Sequence, residues 1–145
     1  MNIQPFRVDH LSILDFGVPE RTEMEILGRG ITNQLQDTDG PAWTLTSDNG
    51  EVVGCFGMQI IGSDGVIWVL LSDEARKNPF GLHRAAARCM DMIETRAGVK
   101  RILGLINDDY ALARRWIENF GFEPDTKVEL SGISYTRYVK WPRAQ

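Results

Sequence analysis

Two apolar, strand-like runs, GVIWVLLS at 65–72 and RILGLIN at 101–107, are separated by a single helical stretch. Strands joined through a helix and lying in one sheet are parallel, and the connection between them is a right-handed crossover. Val66–Leu71 is apolar at odd and even positions alike, as expected of a central strand covered on both sides. The helix between the runs starts at Pro79 and carries Leu82, Ala85, Ala86, Cys89 and Ile93 on one face, with Arg84, Arg88, Asp91 and Glu94 on the solvent side. Gly98 ends it.

The rest of the chain supplies the partners of this unit. Ile3–Arg7 reads as a short first strand, and residues from about 9 to 17 as a short helix with Leu11, Leu14 and Phe16 inward. Pro19 favours a fresh helix start, with Glu20, Glu23 and Glu25 near its positive end. Met24, Leu27, Ile31 and Leu35 form one helical stripe, weakened by Gly28 and Gly30. Turn residues Asp37–Pro41 lead to a strand around Ala42–Ser47, and Asp48-Asn49-Gly50 makes a hairpin turn into a strand from Glu51 to Ile61. A turn at Gly62–Gly65 completes an antiparallel meander.

After the buried strand Ile102–Ile106, Asp108 or Asp109 can cap a last helix with Leu112, Ala113, Trp116, Ile117 and Phe120 on its core face. Strands at about 122–130 and 133–140, joined by Ser131-Gly132, close the chain. The order β-α-α-β-β-β-α-β-α-β-β implies an α/β (α+β) fold, a mixed sheet of about 6–7 strands with helices on both faces, in one domain over residues 1–145.

Composition narrows the function classes. A formal net charge of −4 leaves no basic footprint for nucleic acid. No apolar run approaches the ~20 residues that span a bilayer, and MNIQPFRVDH has no apolar core of a signal peptide. Cys55 and Cys89 read as two buried small hydrophobes, which suits a reducing, cytoplasmic setting. Two His and two Cys lie scattered, without metal-ligand spacing, so no metal is expected. There is no G-x-S-x-G elbow, phosphate-binding G-x-x-x-x-G-K loop or G-x-G-x-x-G turn.

The element order resembles the GNAT superfamily of N-acetyltransferases from end to end. GNAT proteins open the helix after the fourth strand with Q/R-x-x-G-x-G/A, whose small residues let backbone amides approach the pyrophosphate of coenzyme A. The matching stretch is Asn78-Pro79-Phe80-Gly81-Leu82-His83: Gly81 fits the first glycine, Asn78 stands for Gln/Arg, and His83 for the second small residue. A second pattern, N-x-x-A-x-x-x-Y-x-x-x-G-F, aligned on Gly121-Phe122, puts the alanine on Ala113, the asparagine on Tyr110 and the tyrosine on Ile117. That tyrosine is a frequent general acid in the family, and Ile cannot donate a proton. A narrower resemblance, over roughly residues 42–140, is to GNAT-like proteins of tailed bacteriophages related to the internal virion protein A of T7-like phages. It rests on Trp68–Ser72, Arg101–Ile106, Arg115–Glu123 and the aromatic-basic ending Tyr135–Lys140.

The resemblance implies acetyl-CoA as cofactor and an amine as acceptor. Backbone at Val69, Leu70 and Leu71 would hold the pantetheine, amides of Phe80, Gly81, Leu82 and His83, opened by Asn78, would take the pyrophosphate, and Asn107, at the opposing strand end, would also bind the cofactor. Asp73 is the candidate base and Tyr110 the candidate acid. Bland readings stand beside these: Ser72-Asp73-Glu74 as a solvated turn, His83 as a polar helix start, Tyr110 as a half-buried aromatic, His10 as a surface or capping residue, Glu51 as a further possible base, Trp43 and Trp68 as core, and Arg114-Arg115 as helix surface. Trp141, partly exposed, would suit a partner contact. Two functions follow: an acyl-CoA-dependent N-acyltransferase, or a non-catalytic phage protein with a phage or host protein as partner. Exposed C-terminal strands also offer an edge for a homodimer.

Overall fold

The computed structural model describes residues 1–27, 40–95 and 98–142. The element order is β1 (Asn2–Pro5), α1 (His10–Ile13), α2 (Val18–Leu27), β2 (Ala42–Thr46), β3 (Val52–Ile61), β4 (Asp64–Leu71), α3 (Asp73–Arg76), α4 (Pro79–Glu94), β5 (Arg101–Asn107), α5 (Ala111–Asn119), β6 (Glu123–Leu130) and β7 (Ile133–Lys140). Among the described residues this is the mixed α+β order expected, with one short helix, α3, added. The stripe through Ile31 and Leu35 and the glycines at 28 and 30 lie outside the described residues.

The strands form one sheet in the order β1-β2-β3-β4-β5-β7-β6. β4 and β5 pair in parallel, and the remaining neighbours are antiparallel. The two-residue link Ser131-Gly132 has positive φ at both positions (53° and 80°), the conformation a tight hairpin requires.

Each face of the sheet has its own core. On one face Leu45, Phe56, Met58, Leu71 and Ile102 pack against Leu82, Ala85, Ala86, Cys89 and Ile93 of α4 and Ile117 of α5. Full burial of a side chain such as Ile93 contributes about 1.5–3 kcal/mol. On the other face Cys55 and Leu70 meet Leu11 and Leu14, with Phe6, Phe16 and Trp68 alongside. Trp43 and Trp68 thus both pack, and both cysteines are fully buried free thiols.

Several expectations change. The first helix stops at Ile13, so Leu14 packs from the loop beyond it. His10 is buried: its Nδ1 accepts the Arg7 N–H at 3.2 Å and lies 2.6 Å from Thr44 Oγ1. Glu94 is buried as well, paired with Lys140 at 2.8 Å, because Lys140 reaches back from the end of β7 to Glu94 and the Phe120 carbonyl. Neither Asp108 nor Asp109 caps α5. The N-cap is Tyr110, without a side-chain bond, and Asp108 instead accepts from Ser134, Thr136 and Lys127. Leu112 is 76% exposed, and Ile117 is the α5 residue that is buried.

The β6 edge carries Pro124, a register shift between Pro124 and Thr126, and charged residues, all of which discourage strand pairing by a second chain. Among the described residues no helix is long and apolar enough to cross a membrane.

Candidate active site

The β4–β5 ladder has three pairs, Asp64–Arg101, Gly65–Ile102 and Val66–Leu103. Beyond Val66 the two strands part, although β4 continues to Leu71 and β5 to Asn107. The result is a fork in the middle of the sheet. At its root Gly104 lets Ile117 descend onto β5: a Cβ on residue 104 would lie 2.6 Å from Ile117 Cδ1 and 3.3 Å from Ile67.

Backbone direction decides what β4 offers to the fork. The Leu71 N–H donates to Glu20 Oε2 at 3.0 Å and the Leu71 carbonyl accepts the Gly17 N–H at 2.8 Å, so the polar groups of Leu71 face away from β3. Alternation along a strand then turns those of Leu70 toward Cys55 on β3 and those of Val69 toward the fork. Of the three residues expected to hold an arm of ligand, Leu70 is committed to the sheet and Leu71 to residues 17 and 20. Val69 is left to do it.

The first turn of α2 spans the mouth and is tied to both arms. Val18 N–H donates to Asp73 Oδ1 at 3.2 Å on the β4 side. Glu20, 9% exposed, pairs with Arg76 at 2.7 Å on the same side. The Pro19 carbonyl accepts the Tyr110 hydroxyl at 3.3 Å on the β5 side. Sequence reasoning took Glu20 only as a helix-dipole charge. The helix-start position was visible, but its partners on β4 and α3 were not.

The first turn of α4 is closed on itself. Asn78 is its N-cap and accepts the Gly81 N–H through Oδ1 at 3.1 Å, while its carbonyl accepts the Leu82 N–H at 2.9 Å. Pro79 has no N–H. Phe80, 83% exposed, therefore carries the one first-turn amide not engaged in this cap. The Ser72 hydroxyl likewise accepts the Ala75 N–H and caps α3, which is why Ser72-Asp73-Glu74 forms a helix start rather than an open turn.

No family model matches the chain, and no curated protein matches it in sequence. Solved structures do match in shape. The ribosomal-protein-S18-alanine N-acetyltransferase from Escherichia coli superposes with a TM-score of 0.72 at 15% identity, over 99% of this chain and 95% of that one. A putative phosphinothricin N-acetyltransferase gives 0.71 at 11% identity, over 99% of each chain. A chimera of spermidine N-acetyltransferase SpeG from Vibrio cholerae and hSSAT gives 0.70 at 12% identity, over 98% and 96%.

The chain has the GNAT fold.

Within the GNAT fold, the remaining expected site residues divide into two groups. Asp73 and Tyr110 come together at the mouth through Val18 and Pro19, and Asp73 is half exposed. Asn107 is buried there too, its Oδ1 accepting the Asp109 N–H and its carbonyl the Tyr110 N–H, so it shapes the turn from β5 into α5. His83 lies elsewhere. Its exposed ring stacks on Phe120 of the α5 C-cap, 5.2 Å between centroids at 9°, and Phe120 in turn meets Trp116 edge-on. Ile117, which the sequence pattern sets at a tyrosine position, is core.

Buried thiols offer no nucleophile. Burial pushes Cys55 up to about 11 and Cys89 to about 12, so neither forms a thiolate near neutrality. Among the described residues no cluster of His, Cys, Asp and Glu could hold a metal ion.

Proposed function

We propose that this protein is an acyl-thioester-dependent N-acyltransferase that admits the pantetheine arm of its donor into the β4–β5 fork and takes an amine as acceptor. The observation that carries this reading is Val69, a mid-sheet residue whose backbone N–H and C=O face the gap beyond the last β4–β5 pair. An amide-bearing arm laid along β4 satisfies both groups, as an added strand would.

Acetyl-CoA, the donor the fold implies, supplies an activated acetyl group. Its pantetheine part would lie in the fork along Val69. The first turn of α4, where its pyrophosphate would be held, has its Gly81 and Leu82 amides already taken by Asn78. The chain's own residues do the following. Val69 orients the arm, and the first turn of α2 closes the mouth. Asp73, half exposed on the rim with Arg76 at 3.9 Å and Arg21 at 4.0 Å, takes the proton of the acceptor amine. Tyr110 gives its hydroxyl hydrogen to the Pro19 carbonyl and anchors α2. The reading takes residues 1–145 as one domain acting in the cytoplasm.

A second reading, a non-catalytic protein of this fold in a phage particle or bound to a host protein, is favoured by the capped Gly81 amide and by Ile117 in the core. A thiol-release assay with acetyl-CoA, acetyl-pantetheine and a panel of amines separates the two. Amine-dependent thiol release supports the enzyme. Release no faster than without protein, for both donors, supports the second reading.

A further inference from the structure

Resting on the thioester-transfer reading, we infer that the fork is built for an acyl donor on a pantetheine arm without the adenosine diphosphate part of coenzyme A, and that the Asn78 cap is what excludes that part.

A pyrophosphate at a helix start needs unpaired backbone N–H groups converging on it. α4 offers one such group, the Phe80 N–H, and no second to converge with it. Position one is Pro79, the Gly81 N–H is held by Asn78 Oδ1, and the Leu82 N–H by the Asn78 carbonyl. The glycine itself is used inwardly. A Cβ on residue 81 would lie 2.5 Å from Asn78 Nδ2, so the space its missing side chain leaves is filled by the cap rather than open to a ligand.

Charge points the same way. α3, immediately before, places Asp73 and Glu74 in its first turn, and Lys77, the cation beside the cap in sequence, is paired with Glu74 at 2.8 Å. The helix starts also expose apolar side chains. Phe80, Leu112 and Val18, exposed by 83%, 76% and 58%, sit in the first turns of α4, α5 and α2. An uncharged arm with two amides matches the Val69 backbone groups, and a nucleotide with several phosphate charges does not match the capped first turn of α4.

Calorimetry on the full chain with coenzyme A, 4′-phosphopantetheine and pantetheine tests this. The expected result is three affinities within about threefold of one another. Coenzyme A binding about tenfold or more tighter, the least that charge-assisted phosphate contacts confer, overturns the inference while leaving the transferase reading standing. Absence of binding by all three at millimolar concentration overturns both.

Asn78→Ala frees the Gly81 amide. Coenzyme A should then gain about tenfold on pantetheine in a variant whose circular dichroism is native, and an unchanged ratio overturns the role given to the cap. A holo-acyl carrier protein, presenting the same arm on a serine phosphate, identifies the source. Tighter binding than free 4′-phosphopantetheine assigns the donor to a carrier, and weaker binding to the free arm.

Discussion

The Glu20 carboxylate takes the Leu71 N–H at 3.0 Å, so a side chain from α2 stands where a neighbouring strand would pair with the end of β4. The same oxygen holds Arg76 at 2.7 Å. One buried carboxylate therefore fixes α2, β4 and α3 together at the mouth of the fork. Removing it in Glu20→Ala strands a backbone amide and leaves Arg76 only Asp73, at 3.9 Å, as a partner. A fully buried pair costs about 3–5 kcal/mol to break, and because Arg76 keeps 35% of its side chain in solvent the expected loss is about 2–3 kcal/mol. Urea midpoints should show it, with Glu20→Gln losing less because its amide oxygen still accepts from Leu71. Equal midpoints for wild type and Glu20→Ala would remove this residue from the account of the mouth.

The two thiols report on burial directly. Burial raises them, to about 11 and about 12, above the ordinary range of a free thiol, so folding favours the neutral thiol. Groups raised on folding contribute stability that is complete below the unfolded value and is lost as pH rises through the folded one. The urea midpoint should therefore fall between about pH 9 and pH 12, and a Cys55→Ala/Cys89→Ala variant should fall less over the same window. At pH 8 a thiol reagent should find no cysteine in the native protein and both after denaturation. Rapid native labelling of either would contradict the packing.

Asp108 titrates with the opposite sign. The Ser134 and Thr136 hydroxyls and the Lys127 ammonium hold its carboxyl far below the usual carboxylate range. A group depressed on folding contributes stability that is present above the unfolded value, near 3.9, and is lost as pH falls through the folded one. Asp108→Asn should thus be less stable than wild type at pH 6, and the gap should close on acidification below about pH 4. A gap that stays constant with pH would show that the loss comes from packing and not from the charge.

Ile117 predicts the cost of imitating the family pattern. Its Cδ1 occupies the space above Gly104, and the residue is 4% exposed. Ile117→Tyr forces a ring into a filled core and should cost about 1–3 kcal/mol. It should not raise acyl transfer, since the ring has no room to reach the fork without moving α5. A Tyr variant with wild-type stability and faster thiol release would mean that α5 sits higher over β5 than Gly104 requires.

How legible this was in the chain follows from the range over which each signal acts. Strands and the long helix were readable because their apolar spacing is local: Leu82, Ala85, Ala86, Cys89 and Ile93 are all buried as their periodicity required. α3 was not, because four residues are too few for any periodicity and its cap, Ser72, looks like a turn. The polar contacts that make the site were invisible for another reason. Glu20 meets Leu71 across 51 residues and His10 meets Thr44 across 34, and nothing local in a Glu or a His names so distant a partner. Gly81 was visible as a glycine of the right motif position, but the Asn78 oxygen that occupies its amide depends on a side-chain rotamer.

Tyr110 and Asp73 separate structure from chemistry at the mouth. Both tie down the first turn of α2, Tyr110 through the Pro19 carbonyl and Asp73 through the Val18 N–H. Tyr110→Phe deletes one hydrogen bond and leaves the ring, so it should cost about 0.5–1.5 kcal/mol of stability. Its transfer rate should stay within about threefold of wild type, with the pH profile unmoved. Loss of a true general acid would instead slow transfer about 10²–10⁴-fold. Asp73→Asn keeps an acceptor for the Val18 N–H but can no longer take a proton, so it should leave the urea midpoint nearly unchanged and slow transfer by about 10²-fold or more. A slow Tyr110→Phe beside a fast Asp73→Asn, measured by thiol release across pH, would exchange the two roles.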